Sequence, residues 1–211
     1  MKIFKINLKL IKVFINNFVF FIVFLFSISC EKNKISNFTI SENLINFLNN
    51  KNYDSAFIAH AAGGINSDTY TNSIEALENS IENGFKLIEI DFIETSDGFF
   101  VGGHHDWPSF KKKLSNNKYI IDKKPMTLND VMNSKIYNKY HPLTIDYIND
   151  IFSKNKKLIL VTDKTNNFKK IVSDFTFDQN RIIVEIFGRD NYFLSIKEGI
   201  INPMFSSTIS D

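Results

Sequence analysis

The chain has 211 residues, 44% of them hydrophobic and 23% charged, with a formal net charge of +2. These values fit a globular protein with one main domain. No stripe of basic residues with interleaved aromatics is present, which argues against a nucleic-acid partner, and a single cysteine rules out an intrachain disulfide.

Residues 1–29 read as an address. Lys2, Lys5, Lys9 and Lys12 form a basic segment, followed by the apolar run from Phe18 to Phe26. That run is short for a membrane-spanning helix and suits a signal peptide. Removing residues 1–29 takes away those four lysines and moves the formal charge from +2 to −2. Cys30 follows Ser27-Ile28-Ser29, which resembles a bacterial lipobox, although Ser27 stands where leucine is usual. The expectation is a lipoprotein of the bacterial cell envelope, held at the membrane through lipidated Cys30. Residues 30–52 would then be a tether with a short helix at Glu42–Asn50, and residues 53–211 the functional domain.

Within that domain apolar strands alternate with helical spacers. The expected strands are Phe57–His60, Lys86–Ile93, Phe99–His104, Lys157–Asp163, Arg181–Phe187 and Asn202–Ser206. The expected helices are Asn72–Asn83, Thr127–Ser134, Leu143–Ser153, Phe168–Phe175 and Asn191–Glu198. Such alternation predicts an α/β fold with a parallel sheet. Glu75 in a first helical turn and Gly84 just past the last one agree with helix polarity and capping.

The chemistry concentrates between Phe57 and Trp107. In Lys86-Leu87-Ile88-Glu89-Ile90-Asp91-Phe92-Ile93, strand alternation places Glu89 and Asp91 on one side and Ile88, Ile90 and Phe92 on the other. Helical spacers on both flanks imply a covered strand, and two covered carboxylates repel unless a cation joins them. Hard oxygen donors suit Mg²⁺ or Ca²⁺. His60 ends one strand and His105 another. Imidazoles titrate near neutrality and can serve as acid or base. His104, on the opposite face from His105, reads as a structural residue.

Taken together, these residues resemble the glycerophosphodiester phosphodiesterases, within the barrel-shaped phospholipase-C-like phosphodiesterases. The family pattern is a strand ending His-Arg-Gly, Glu-Asn-Thr opening a helix, Gly, a strand bearing Glu-x-Asp, Thr-x-Asp-Gly, and a strand ending His-Asp. Here it is matched by His60, Asn72-Ser73, Gly84, Glu89-Ile90-Asp91, Thr95-Ser96-Asp97-Gly98 and His105-Asp106. The resemblance implies a (β/α)8 TIM-barrel fold in which Glu89 and Asp91 bind a divalent metal. It also implies His60 and His105 as general acid and base, Asp163 as a third metal ligand, and Lys164 on the phosphate. Strict spacing would place Thr165 in the lysine position, and Lys164 needs a change of register. The arginine after the first histidine is replaced by Ala61, its glycine by Ala62, and the glutamate before Asn72 by Thr71.

About six strands are counted, against eight strands and about 250 residues for a complete barrel, so the last strands are expected to be missing. The expected activity is metal-dependent hydrolysis of glycerophosphodiesters or phospholipid headgroups. Two other readings stand beside it. One is an enzyme like the phosphatidylinositol-specific phospholipases C, and the other is a non-catalytic lipoprotein that only binds a ligand.

Overall fold

The computed structural model describes residues 57–104, 106–114 and 123–206. The expected leader, tether, short helix and Cys30 lie outside the described residues, as does His105. The described residues form seven strands: β1 (Ile58–Ala59), β2 (Leu87–Glu89), β3 (Phe92–Glu94), β4 (Phe100–Gly102), β5 (Ile159–Thr162), β6 (Ile182–Ile186) and β7 (Asn202–Phe205). The helices are α1 (Ile74–Glu82), α2 (Trp107–Lys113), α3 (Leu128–Met132), α4 (Ile145–Lys154), α5 (Phe168–Asp174) and α6 (Arg189–Lys197).

Five of the strands form a parallel sheet in the order β1-β2-β5-β6-β7. Its faces are both covered, which explains the near-continuous apolar runs in the sequence. Ile88, Leu160, Ile182 and Val184 join Leu77, Ile148, Phe152 and Ile171 in the main core. On the other face Leu87, Ile159, Val161 and Ile183 form a smaller cluster. The helices start where the side chains dictate. Ser73, Thr127 and Thr144 accept hydrogen bonds from the first turns of α1, α3 and α4, satisfying amides that have no partner within the helix.

Two expectations are corrected. The strand foreseen over Lys86–Ile93 is divided: β2 stays in the parallel sheet, while β3 leaves it to pair antiparallel with β4. The strand foreseen over Phe99–His104 therefore does not belong to the parallel sheet. The cause is Thr95-Ser96-Asp97-Gly98, which makes a tight turn. The Thr95 amide donates to the Phe99 carbonyl at 2.8 Å and the Gly98 amide to the Thr95 carbonyl at 3.0 Å. A parallel connection needs about a dozen residues or more, and this loop is far too short. Helix α2 was not foreseen either; Asp106 caps it and Pro108 sits in its first turn.

The β3–β4 hairpin builds a second core with Trp107, Phe110, Leu114, Val131, Ile136 and Tyr140. At the start of β5, Arg181 ties the strand to α4. Its guanidinium donates to the carbonyls of Phe152 (3.0 Å), Asn155 (3.1 Å) and Leu158 (3.0 Å). No helix among the described residues is long and apolar enough to cross a membrane.

Gly102 lets the hairpin closely approach the segments that lead into α1 and α4. A Cβ there would lie 2.6 Å from the Asn72 carbonyl and 3.1 Å from the Leu143 Cβ. Backbone atoms cannot swing aside, so Gly102→Ala is expected to cost about 1–3 kcal/mol, as overpacking does. Chemical denaturation checks this; an unchanged midpoint would show that the hairpin is not wedged against Asn72.

Candidate metal and phosphate site

The parallel register decides where the acids go. Leu87 and Ile159 are partners and Glu89 pairs with Val161. Stepping two residues along each chain from the inner apolar cluster leads from Leu87 to Glu89 and Asp91, and from Val161 to Asp163. All three carboxylates thus leave the sheet on the same face, at the carboxyl end of the strands, where parallel α/β folds place their sites. Each offers an oxygen within 4.8 Å of the others, and all three residues are buried.

Three negative charges that close are costly unless neutralised. Glu89 Oε2 accepts the Ala61 amide at 2.6 Å. Asn72 holds Asp91 from two directions: its Nδ2 donates to Asp91 Oδ2 at 3.0 Å, and its Oδ1 accepts the Asp91 amide at 3.1 Å. Lys164 Nζ lies 2.5 Å from Asp163 Oδ2 and 3.8 Å from Asp91 Oδ1. Buried Asp91 Oδ1 and Asp163 Oδ1 nevertheless accept no hydrogen bond. Orphaned carboxylate oxygens facing one another fit a hard divalent cation, since such ions take oxygen donors. The donor set present here matches that requirement.

Lys164 reaches the acids because strand alternation stops at Thr162. Lys164 adopts a left-handed backbone with φ 59°, so consecutive Asp163 and Lys164 both serve the site. The change of register required by the sequence pattern is made at this residue. Thr165 instead accepts the Asn167 amide with its hydroxyl.

His60 opens a single 3-10 turn, His60–Ala62, directly after β1. Ala61 (φ 53°) and Ala62 (φ 64°) are left-handed in succession, an uncommon conformation for residues with a Cβ. Ser80 Oγ donating to the Ala62 carbonyl (2.7 Å) and the Asn72 amide donating to the Ala61 carbonyl (3.2 Å) hold that turn. The result aims the Ala61 amide at Glu89 and brings His60 Nε2 to 3.6 Å from Glu89 Oε2. The imidazole itself is 58% exposed and lines an open cavity of about 620 Å³ with Tyr70, His104, Lys113, Tyr137 and Lys164.

Four of these residues, Tyr70 among them, escaped the sequence reading. His104, read there as structural, faces the cavity and packs its ring 5.3 Å from that of Tyr70, which stands edge-on to His60 at 5.0 Å. Lys113 arrives from α2, and Tyr137 from the segment after α3. Asn72 was noted only as part of a helix start. An asparagine directly ahead of the capping Ser73 was the one local sign available.

The acids are perturbed as their surroundings dictate. Burial, together with the charges of Asp91 and Asp163, pushes the Glu89 carboxyl up to about 8 despite the Ala61 amide. Burial also raises Asp163, against the Lys164 ammonium. For Lys164, burial opposes the charged form, but the Asp163 hydrogen bond and the surrounding carboxylates outweigh it and hold the ammonium above its usual range. Without metal, the folded chain therefore binds more protons at Glu89 than the unfolded chain does from about 4.5 up to about 8. Stability of the metal-free protein is expected to fall as pH rises through that window. Glu89→Gln should flatten the profile, as measured by thermal melts in a chelator; a parallel profile would show that Glu89 is not the group responsible.

No family model matches the sequence, and no curated protein matches it. Solved structures do. A glycerophosphoryl diester phosphodiesterase from Parabacteroides distasonis superposes with a TM-score of 0.53 at 19% identity, over 71% of this chain and 52% of that one. The glycerophosphoryl diester phosphodiesterase domain of a Mycobacterium tuberculosis protein gives 0.54 at 15% identity, over 69% of this chain and 57% of that one. The chain thus spans little more than half the length of these structures. Within that span, it carries the α/β barrel fold of the glycerophosphoryl diester phosphodiesterases.

Proposed function

We propose that the protein is a metal-dependent phosphoric diester hydrolase acting on glycerophosphodiesters or phospholipid headgroups. The observation that carries this reading is the cluster of Glu89, Asp91 and Asp163, with two buried oxygens that accept no hydrogen bond, next to Lys164 and His60, which line one cavity. The likeness of fold to phosphodiesterases supports it. A divalent cation, Mg²⁺ or Ca²⁺, would be held by the three carboxylates and would supply Lewis-acid polarisation of a phosphoryl oxygen.

The chain's own groups supply the rest. Asn72 orients Asp91, and the Ala61 amide orients Glu89. Lys164 balances negative charge next to the phosphate. The exposed imidazole of His60 can reach a ligand oxygen in the cavity and move a proton there. His105 is the second proton-transfer group by resemblance, and its described neighbour His104 offers an imidazole to the same cavity. Membrane attachment through lipidated Cys30 and a place in the bacterial envelope complete the proposal, on the strength of residues 1–30 alone.

Hydrolysis of a glycerophosphodiester by the full chain, with mass spectrometry of the product, tests the function. The expected outcome is an open phosphomonoester, formed only with a divalent ion and reduced at least about a hundredfold in Asp91→Asn or Asp163→Asn. A cyclic phosphate product would favour the phospholipase C-like reading. Metal binding without any turnover would leave the binding lipoprotein. His60→Gln and His105→Gln are each expected to lower kcat by about a hundredfold, with His104→Gln having the smaller effect; the reverse order would assign the second proton transfer to His104.

A further inference from the structure

Charge counting in the cavity leaves one cation without a stated role. Three carboxylates and the Lys164 ammonium, with a divalent ion, sum to zero. A phosphodiester brings one negative charge more. Position 61 offers only a methyl group beyond its backbone, so no cation comes from the turn after His60. Among the described residues, Lys113 is the other lysine lining the same cavity. It reaches there from the last turn of α2, where Lys111 and Lys112 precede it.

We propose that Lys113 is an anion-binding residue that pairs with Lys164 across this cavity and holds the non-bridging oxygens of a phosphodiester. Its placement is built rather than incidental. Nζ donates to the Tyr70 carbonyl at 2.9 Å, which fixes the end of a long side chain using one of its three N–H donors. Tyr70 is left-handed at φ 55° and carries the ring that packs on His60 and His104. The Lys113 carbonyl in turn accepts the Tyr137 amide at 2.6 Å. Burial lowers the ammonium while the charge of Asp91 raises it, so Lys113 feels the same carboxylate that Lys164 touches. The simpler role of a lysine in a last helical turn is to complement the helix dipole, and Lys112 would serve that role equally.

This inference rests on the proposed phosphodiesterase reading for the divalent ion and the identity of the diester, and its test is separable. The probe is inorganic phosphate, titrated calorimetrically into the full chain loaded with Mg²⁺. Lys113→Met is expected to weaken phosphate binding at least about tenfold, the loss typical of a charged hydrogen bond. Lys113→Arg should retain binding, and exposed Lys112→Met should behave as the parent. With a diester substrate, Lys113→Met should raise KM more than it lowers kcat. Equal binding by parent and Lys113→Met, equal losses in Lys112→Met and Lys113→Met, or no phosphate binding by the parent would each overturn the proposal. If no diester is hydrolysed while the phosphate pattern holds, the proposed function falls and the anion site stands.

Discussion

The mutual repulsion of Glu89, Asp91 and Asp163 is the constraint around which this structure is arranged. Their positions follow from the register of β2 against β5, which sends every second side chain to the inner face. Towards the amino end those positions are Leu87, Ile159 and Val161; at the carboxyl end and just past it they are acids. An apolar interior thus changes over two residues into a carboxylate cradle. The polar groups around it, Asn72, the Ala61 amide and Lys164, orient or partly neutralise the acids without filling all their lone pairs.

Much of this was readable in the linear sequence. Glu89 and Asp91 share a face through the two-residue period alone, and the apolar runs of β5 and β6 identified buried strands. Helix α1 announced itself through Glu75 in its first turn and Gly84 just past its last. The family pattern hides the hairpin, although the length of Thr95-Ser96-Asp97-Gly98 already precludes a parallel connection. Lys164 could not be placed by periodicity, since a left-handed residue breaks the alternation on which the method depends.

Lys113, Tyr137 and His104 were out of reach for another reason. Nothing in their neighbourhoods marks them: a lysine among lysines, a tyrosine in a polar segment, the first of two adjacent histidines. They meet Lys164 only through tertiary packing of the second core, whose members run from Ile93 to Tyr140. Sequence periodicity describes elements one at a time and says little about which loops converge.

The floor and the wall of the cavity consequently belong to separate apolar assemblies. The acids, His60 and Lys164 hang from the parallel sheet, while Lys113 and Tyr137 are carried by the segment that the Trp107 and Phe110 cluster stabilises. The two assemblies meet at the β3–β4 hairpin, whose Phe92 and Phe100 join the main core while Ile93 and Val101 join the second, and at Ile65, which packs against both. Substitutions among Trp107, Phe110 and their neighbours would thus shift the side of the cavity that carries Lys113 and Tyr137, while the three acids keep their seats on the sheet.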